Sequence, residues 1–244
     1  MKHLVTLLML VLLFGGWTTD ARAQVEFQGG LNFTTGFPQG EFNENINTEG
    51  FGGSGYFLYK FPVNSFSAGI AINYLVYGSE TREEPLGPSI PDVRVDVTTT
   101  NDILYTHLLF RVQPPAGILR PYLDGLLGLG HFTTDTKVED QNGDGEDDEI
   151  ASTNHKRDTA LNYGFGGGIM IRLYDGRKNF SGLDAVNLDL GFRYLKGGEA
   201  QYLKEGSIDI NNGNVNYQVL RSETDIITAH LGVTIDFSVR KPGR

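Results

Sequence analysis

A run of oxygen-bearing side chains between residues 139 and 149 has the composition and spacing of a cation site. Calcium prefers oxygen ligands, and alternate side chains of a tight loop can converge on one ion. Gly145 permits the sharp turn, and the backbone carbonyl of the residue after it can supply a further ligand. The expected calcium ligands are Asp140, Asn142, Asp144, Glu146 and Asp148.

The order of these residues, D-x-N-x-D-G-x-x-D, resembles the first part of an EF-hand loop. The resemblance implies a weak calcium site of the millimolar, extracellular kind. It ends at the twelfth position, where Ala151 replaces the bidentate Glu and Glu149 is the nearest substitute. The alternative is a solvated acidic loop, because seven acids stand between Glu139 and Glu149 and repel one another.

Catalysis by acyl transfer would need a nucleophile, a base and an orienting group at one place. Ser222, Glu223 and His230 are the nearest such set in the sequence. Ser222 and Glu223 fall at the outer end of a predicted strand, several residues from His230, so we expect no direct contact. His107 and His230 are interpreted as interior residues bonded to neighbouring carboxylates, and we predict that the protein is not an enzyme.

The composition of the 244 residues excludes several other classes of site. The chain has no cysteine, which excludes a disulfide scaffold and a thiolate zinc site. Its formal net charge of −10 disfavours nucleic acid, because phosphate binding depends on clustered Lys and Arg. The length suits one all-β domain or two small α/β domains.

Residues 1–23 have the features of a secretory signal peptide. Lys2 precedes an apolar run over 4–14, and small residues at Ala21 and Ala23 form a cleavage site. The alternative, an N-terminal membrane anchor, would require a longer apolar run to span the hydrocarbon. We therefore predict cleavage after residue 23 and Sec-type export.

The mature sequence alternates between apolar and polar residues with a period of two, which predicts β-strands. No segment has a convincing helical period, so the predicted fold class is all-β. The strands are long, at about ten residues or more, compared with about 5–6 in soluble sheets. The eight predicted strands lie near residues 25–37, 51–61, 66–76, 103–112, 122–132, 160–173, 185–195 and 226–237.

The connections between these strands favour a membrane barrel over a soluble, lipocalin-like barrel. Long and short connections alternate, which is typical of outer-membrane barrels with long outer loops and short periplasmic turns. Aromatic residues recur near the ends of the apolar faces, as in interfacial girdles. The long connections are 38–50, 79–100, 134–159 and 197–224, and the short ones are 62–65, 113–120 and 175–184.

The polar faces of the strands carry acids and bases in equal number. A solvent-facing surface does not need such a balance, but a closed lumen of buried charges does. Glycines stand on the same faces, where a narrow interior leaves little room. We expect Arg193, Asp236 and Glu26 to interact, since their strands adjoin when a barrel closes. The predicted lumen charges are Glu26, Lys60, Arg111, Asp124, Arg172, Asp189, Arg193 and Asp236.

Two segments, RPYLDGLLGLGHF (residues 120–132) and VNLDLGFRYL (residues 186–195), are similar to strands of small outer-membrane barrels. The chain resembles the OmpA/OmpX-type eight-stranded transmembrane domain of Gram-negative bacteria. The resemblance implies an antiparallel up-and-down barrel over 24–237, contact with outer-membrane lipid, and insertion by the assembly machinery. Phe237 matches the terminal aromatic residue of that family, although residues 238–244 follow it as a short periplasmic tail.

The function that we predict is a non-enzymatic, structural or surface-interaction role for a barrel with a plugged lumen. A narrow channel for small solutes is the first alternative, and a barrel enzyme acting on outer-membrane lipid is the second. An extracellular partner would bind the loops at 79–100, 134–159 and 197–224. We expect strand hairpins within two of these loops, one along Val93, Val95 and Val97 and one turning at Asn212-Gly213.

Overall fold

A computed structural model shows a closed barrel of eight antiparallel strands, which confirms the predicted fold class. The predicted signal peptide, most of the tail and most of the acidic loop lie outside the described residues. The structure describes residues 25–46, 48–62, 65–87, 90–140, 149–176, 182–203, 209–211, 214–216 and 219–239.

The barrel strands pair with their neighbours in sequence, and the last barrel strand closes the barrel against the first. Four short strands before the last barrel strand form two further sheets. The barrel strands are β1 (Val25–Pro38), β2 (Gly50–Lys60), β3 (Phe66–Gly87), β4 (Ile90–Val112), β5 (Leu119–Asp140), β6 (Glu149–Asp175), β7 (Leu183–Gly197) and β12 (Ile226–Val239). The short strands are β8 (Glu199–Leu203), β9 (Asp209–Asn211), β10 (Asn214–Asn216) and β11 (Val219–Glu223).

Burial alternates along the strands with the period that the sequence predicts. In β1 the residues from Gln28 to Pro38 are more buried at even positions, which face the lumen, than at odd positions, which face outwards. The outward faces carry large apolar side chains with 37% or more of their surface exposed, among them Leu31 at 77% and Phe165 at 65%. We refer to this band of exposed apolar side chains as the apolar belt.

Several strands continue beyond the apolar belt. The pairing of β3 with β4 extends to Gly87 and Ile90, so the hairpin expected along Val93 to Val97 is confirmed. The second expected hairpin is also present, since β9 pairs with β10. Its turn at residues 212–213 lies outside the described residues.

The sequence did not predict the short helix α1 (Gly40–Ile46), which lies between β1 and β2. Its seven residues bury a single side chain, that of Phe42. The helix contains only two apolar residues, Phe42 and Ile46, which are too few to produce a clear helical period in the sequence. Within the described ranges, no helix has the length and hydropathy needed to span a bilayer.

Candidate functional site

Arg111 occupies the centre of a buried polar interior. The side chain projects from β4 into the lumen and is fully buried. Its Nε and Nη2 atoms donate to the two carboxylate oxygens of Asp124 over 2.7 and 2.9 Å. Its guanidinium carbon lies 4.5 Å from the ring centroid of Tyr56 and 3.9 Å from that of Tyr122. A bidentate ion pair and two aromatic faces therefore hold the guanidinium.

Asp124 joins two arginines that come from different strands. Besides the bonds from Arg111, it accepts a hydrogen bond of 3.2 Å from Nη2 of Arg193 on β7. Arg111 also donates from Nη1 to the Tyr56 hydroxyl over 3.0 Å. One carboxylate thus faces two cations, and a second acid is needed nearby to balance the charge.

Asp189 of β7 supplies this second negative charge. Its two oxygens accept hydrogen bonds from the hydroxyls of Tyr122, at 2.7 Å, and Tyr56, at 2.9 Å. His230 Nε2 lies 2.9 Å from the Tyr122 hydroxyl. Because Tyr56 accepts from Arg111 and donates to Asp189, it links the two charges through one hydroxyl.

Asp236 of β12 gathers a second group of charges toward the end of the barrel where β1 begins. It accepts hydrogen bonds of 2.7 Å from Gln28 and from Arg120. Lys60 Nζ lies 3.0 Å from the same carboxylate and 3.8 Å from Glu26, whose side chain is 52% exposed. The two groups together form what we call the lumen network: Gln28, Tyr56, Lys60, Arg111, Arg120, Tyr122, Asp124, Asp189, Arg193, His230 and Asp236.

The eight predicted lumen charges do not form one single group in the structure. Arg111, Asp124, Asp189 and Arg193 lie in the central group, and Lys60 and Asp236 lie in the second group. Glu26 reaches that second group only at the rim. Arg172 pairs with the exposed Asp175 at the end of β6, over 3.2 Å.

The contact expected between Arg193 and Asp236 does not form. Arg193 lies opposite Thr228 of β12, whereas Asp236 lies eight residues further along the same strand. At about 3.3 Å per residue this separates them by roughly 26 Å along the strand. Side chains on neighbouring strands meet only where their residues lie opposite each other. The alternation of apolar and polar residues does not show which residues of two strands lie opposite.

Sequence reasoning missed Arg120, which it assigned to the turn before the fifth strand. In the structure β5 already begins at Leu119. Arg120 therefore shares the inward face with Tyr122 and Asp124, and it is 1% exposed. The sequence could have indicated this position, because residues 120, 122 and 124 alternate along one strand and therefore lie on the same face.

The residues considered for catalysis lie apart. The Ser222 hydroxyl is 2.7 Å from the Tyr202 hydroxyl, while His230 contacts Tyr122 inside the barrel. His107 donates from Nε2 to the side-chain oxygen of Asn162 over 2.8 Å, so its partner is an amide where a carboxylate was expected. The described geometry therefore does not join Ser222 to either histidine.

The outer end of the lumen is closed by aromatic side chains around Phe42. The ring centroid of Phe42 lies 5.7 Å from that of Tyr77, 6.1 Å from Phe132 and 5.4 Å from Tyr202, all in edge-to-face geometry. Tyr105 packs against Phe132 at 6.5 Å. We use the term aromatic cage for the three rings that contact Phe42, together with Tyr105, which packs on one of them: Tyr77, Tyr105, Phe132 and Tyr202.

Asp102 lies on the outward face of β4, above the apolar belt. It stands opposite Val76 of β3 and Thr133 of β5. Partial burial, together with the nearby Asp135 carboxylate, raises the pKa of Asp102 to about 6. This carboxyl therefore titrates near neutral pH on the outside of the barrel.

The predicted calcium ligands fall mostly outside the described residues. Asn142, Asp144, Glu146 and Asp148 belong to the gap between β5 and β6, and of Asp140 only the backbone position is described. Among residues that are described, no group of three or more potential His or carboxylate ligands could hold a metal ion. The calcium site thus stays a prediction from the sequence.

Comparison with solved structures finds barrels of low sequence identity. The attachment invasion locus protein Ail of Yersinia pestis is 15% identical, with 88% of this chain and 98% of that chain covered and a TM-score of 0.37. Neisserial surface protein A is 13% identical, covering 87% and 96%, with a TM-score of 0.33. A major outer membrane protein from Thermus thermophilus is 11% identical, covering 86% and 99%, with a TM-score of 0.43. No protein-family model and no curated protein matches the sequence.

Proposed function

We propose that the protein is a non-enzymatic integral outer-membrane barrel of a Gram-negative bacterium, exported after removal of residues 1–23. The observation that carries this proposal is the reversed polarity of the barrel. Large apolar side chains are exposed on the outside, while arginines and aspartates are buried inside. In water such a wall would be unfavourable, because exposing apolar surface costs about 25 cal/mol per Å². In lipid the same wall is stable.

The strands are long enough for this placement. β1 and β12 have 14 residues each, and β7 has 15. A transmembrane strand needs about 9–11 residues when tilted. The longer β3 to β6 would then extend above the outer leaflet, and the short connections would lie in the periplasm with both ends of the chain.

A closed lumen supports a structural or surface-interaction role over a channel. Two layers fill the interior: the lumen network, and Phe42 seated among aromatic side chains at the outer end. An eight-stranded barrel leaves an interior just wide enough for side chains. Partners would therefore bind outside, on the extended segments around 79–100, 134–159 and 197–224.

Two measurements on the mature chain folded in detergent test the proposal. A folded form that migrates faster than the heat-denatured form on a gel is expected for a membrane barrel. A chain that is monomeric and β-structured without detergent would contradict the membrane placement. In planar bilayers we expect no steady conductance steps, and regular steps would establish the narrow channel instead.

A further inference from the structure

Helix α1 lies in the mouth of the barrel, and Phe42 is its one fully buried side chain. Phe42 is fully buried, whereas Glu41, Asn43 and Glu44 on the same helix are exposed. A seven-residue helix has little stability of its own. To leave its seat, the helix must give up the contacts of the Phe42 ring, the partial packing of Ile46 and the hydrogen bond of 3.1 Å from Asn45 to the Tyr202 hydroxyl.

The seat of Phe42 is built by the barrel and by the short sheet above it. Tyr77, Tyr105 and Phe132 come from β3, β4 and β5, and Tyr202 comes from β8. Each of the four is at most 2% exposed. All four residues belong to paired strands, and Tyr202 also accepts a hydrogen bond of 3.1 Å from Asn45 of α1.

Two hydroxyl groups in these walls have no partner among the residues that the structure describes. The Tyr77 and Tyr105 hydroxyls are buried and make no hydrogen bond within the described ranges, whereas that of Tyr202 contacts Asn45 and Ser222. A buried hydroxyl without a partner is unfavourable, and such groups in native proteins are uncommon. The ring of Phe42 has no oxygen or nitrogen atom that could accept a hydrogen bond from these hydroxyls. Phe42 therefore fits the shape of the seat but not its polarity.

We propose that the aromatic cage is a binding site for a small uncharged aromatic molecule that carries an oxygen acceptor, and that Phe42 occupies this site when the ligand is absent. The ligand ring takes the position of the Phe42 ring. Its oxygen accepts hydrogen bonds from Tyr77 and Tyr105. An anionic ligand is disfavoured, because the charged groups that interact with these two tyrosines are the carboxylates of Asp102 and Asp225.

This site goes beyond the proposed surface role and does not require transport. The lumen network lies deeper in the barrel and stays closed when Phe42 leaves. Ligand binding would displace α1 and release its contact with β11, where Glu41 accepts a bond of 3.4 Å from the Glu223 amide. The extracellular surface would then differ between the free and the bound protein.

The first experiment uses a Phe42→Trp variant of the mature chain in lipid nanodiscs, with acetophenone as the probe. The only tryptophan of the sequence, Trp17, lies in the predicted signal peptide, so the introduced Trp is the sole indole. We expect blue-shifted emission without ligand and a saturable red shift with acetophenone. Protein-free nanodiscs correct for partition of the probe into lipid. A red shift that rises linearly with the probe in the same way as lipid partition would overturn the proposal.

The second experiment removes the internal occupant. Phe42→Ala should bind acetophenone at least tenfold more tightly than the wild-type chain, because no side chain competes. If Phe42→Ala fails to give the fast-migrating folded band, Phe42→Leu takes its place. Tight binding to this variant without displacement in Phe42→Trp would identify an engineered cavity only, and would also overturn the proposal.

The third experiment tests the two free hydroxyls. In the Phe42→Ala background, Tyr77→Phe and Tyr105→Phe should each weaken acetophenone binding by about 2- to 10-fold, the effect of one hydrogen bond. Ethylbenzene has a similar shape but no oxygen, and its affinity should not change. Equal losses for both probes would show that the hydroxyls do not recognise the ligand and would contradict their assigned role.

Discussion

The guanidinium carbon of Arg111 on β4 lies 3.9 Å from the ring centroid of Tyr122 on the neighbouring strand β5. The same guanidinium makes a bidentate pair with Asp124. A planar, forked cation satisfies both contacts at once, which an ammonium group cannot do. The side chain at position 111 is therefore specified by shape as well as by charge.

Arg111→Lys should lower the free energy of unfolding by about 2–3 kcal/mol, because it keeps the charge but loses the fork and the ring contacts. Urea-induced unfolding of the detergent-folded barrel measures this change. Arg221→Lys is the matched control, since Arg221 pairs with Glu199 at the exposed surface over 2.7 Å. Exposed pairs contribute about 0–1 kcal/mol, so a loss of equal size in both variants would contradict the role of Arg111.

Substitutions at Asp124 and at its two arginines should differ in a defined order. Asp124→Leu leaves Arg111 and Arg193 without their shared carboxylate and should cost about 3–5 kcal/mol. Arg193→Leu should cost less, about 2 kcal/mol, since Asp124 keeps its two bonds from Arg111. The temperature of the gel-mobility transition gives the order. An Arg193→Leu barrel less stable than Asp124→Leu would reverse it.

Alanine substitutions at two glycines of β5 should change the stability of the barrel by very different amounts. A Cβ at Gly128 would lie 2.7 Å from the Cα of His107 and would also meet the carbonyl oxygen of Thr106. Gly128→Ala should therefore destabilise the barrel by about 3 kcal/mol. A Cβ at Gly125 meets nothing within 4 Å, so Gly125→Ala should change stability by less than about 1 kcal/mol. The denaturant midpoints of unfolding of the two variants, each compared with the wild-type protein, measure this difference. Equal midpoints for the two variants would contradict it.

Asp102 should make the barrel more stable at mildly acidic pH. The pKa of this carboxyl is about 6 in the folded protein, against about 3.9 for an unperturbed Asp. Its contribution is fully present below about pH 4 and is lost as the pH rises through about 6. Asp102→Asn should therefore stabilise the barrel at pH 7.5 and have little effect at pH 4. An equal gain at both pH values would point to a cause other than ionisation.

Calcium binding by the acidic loop is tested by calorimetric titration of the folded barrel. We expect weak, millimolar binding that Asp144→Ala abolishes, since that side chain stands at the centre of the D-x-N-x-D pattern. Asp175→Ala, outside the loop, serves as the control and should leave the heats unchanged. Equal heats from the wild-type protein and Asp144→Ala would leave only the solvated acidic loop.

The sequence predicts the strands well because successive residues of a barrel strand face alternately the apolar outside and the polar lumen. Along β4, for example, Leu104 and Leu108 point outwards while His107 and Arg111 point inwards. This local alternation does not predict which side chains meet across the lumen. The pairing of Asp124 with Arg193 depends on the register and diameter of the closed barrel, which no single strand determines. Phe42 was missed for the same reason, since its ring partners come from three strands, β3, β5 and β8.

The closing contact of the barrel joins the beginning of the described chain to its end, from Val25 with Val239 to Pro38 with Ile226. No earlier strand can substitute for β12, because β12 pairs with both β1 and β7. One edge of β1 therefore has no partner until β12, the last barrel strand in the chain, has been synthesised. A chain stopped before β12 would present two open edges, which are templates for aggregation. The position of this seam makes closure depend on β12: a polypeptide that stops before this strand cannot form the pairing that closes the barrel.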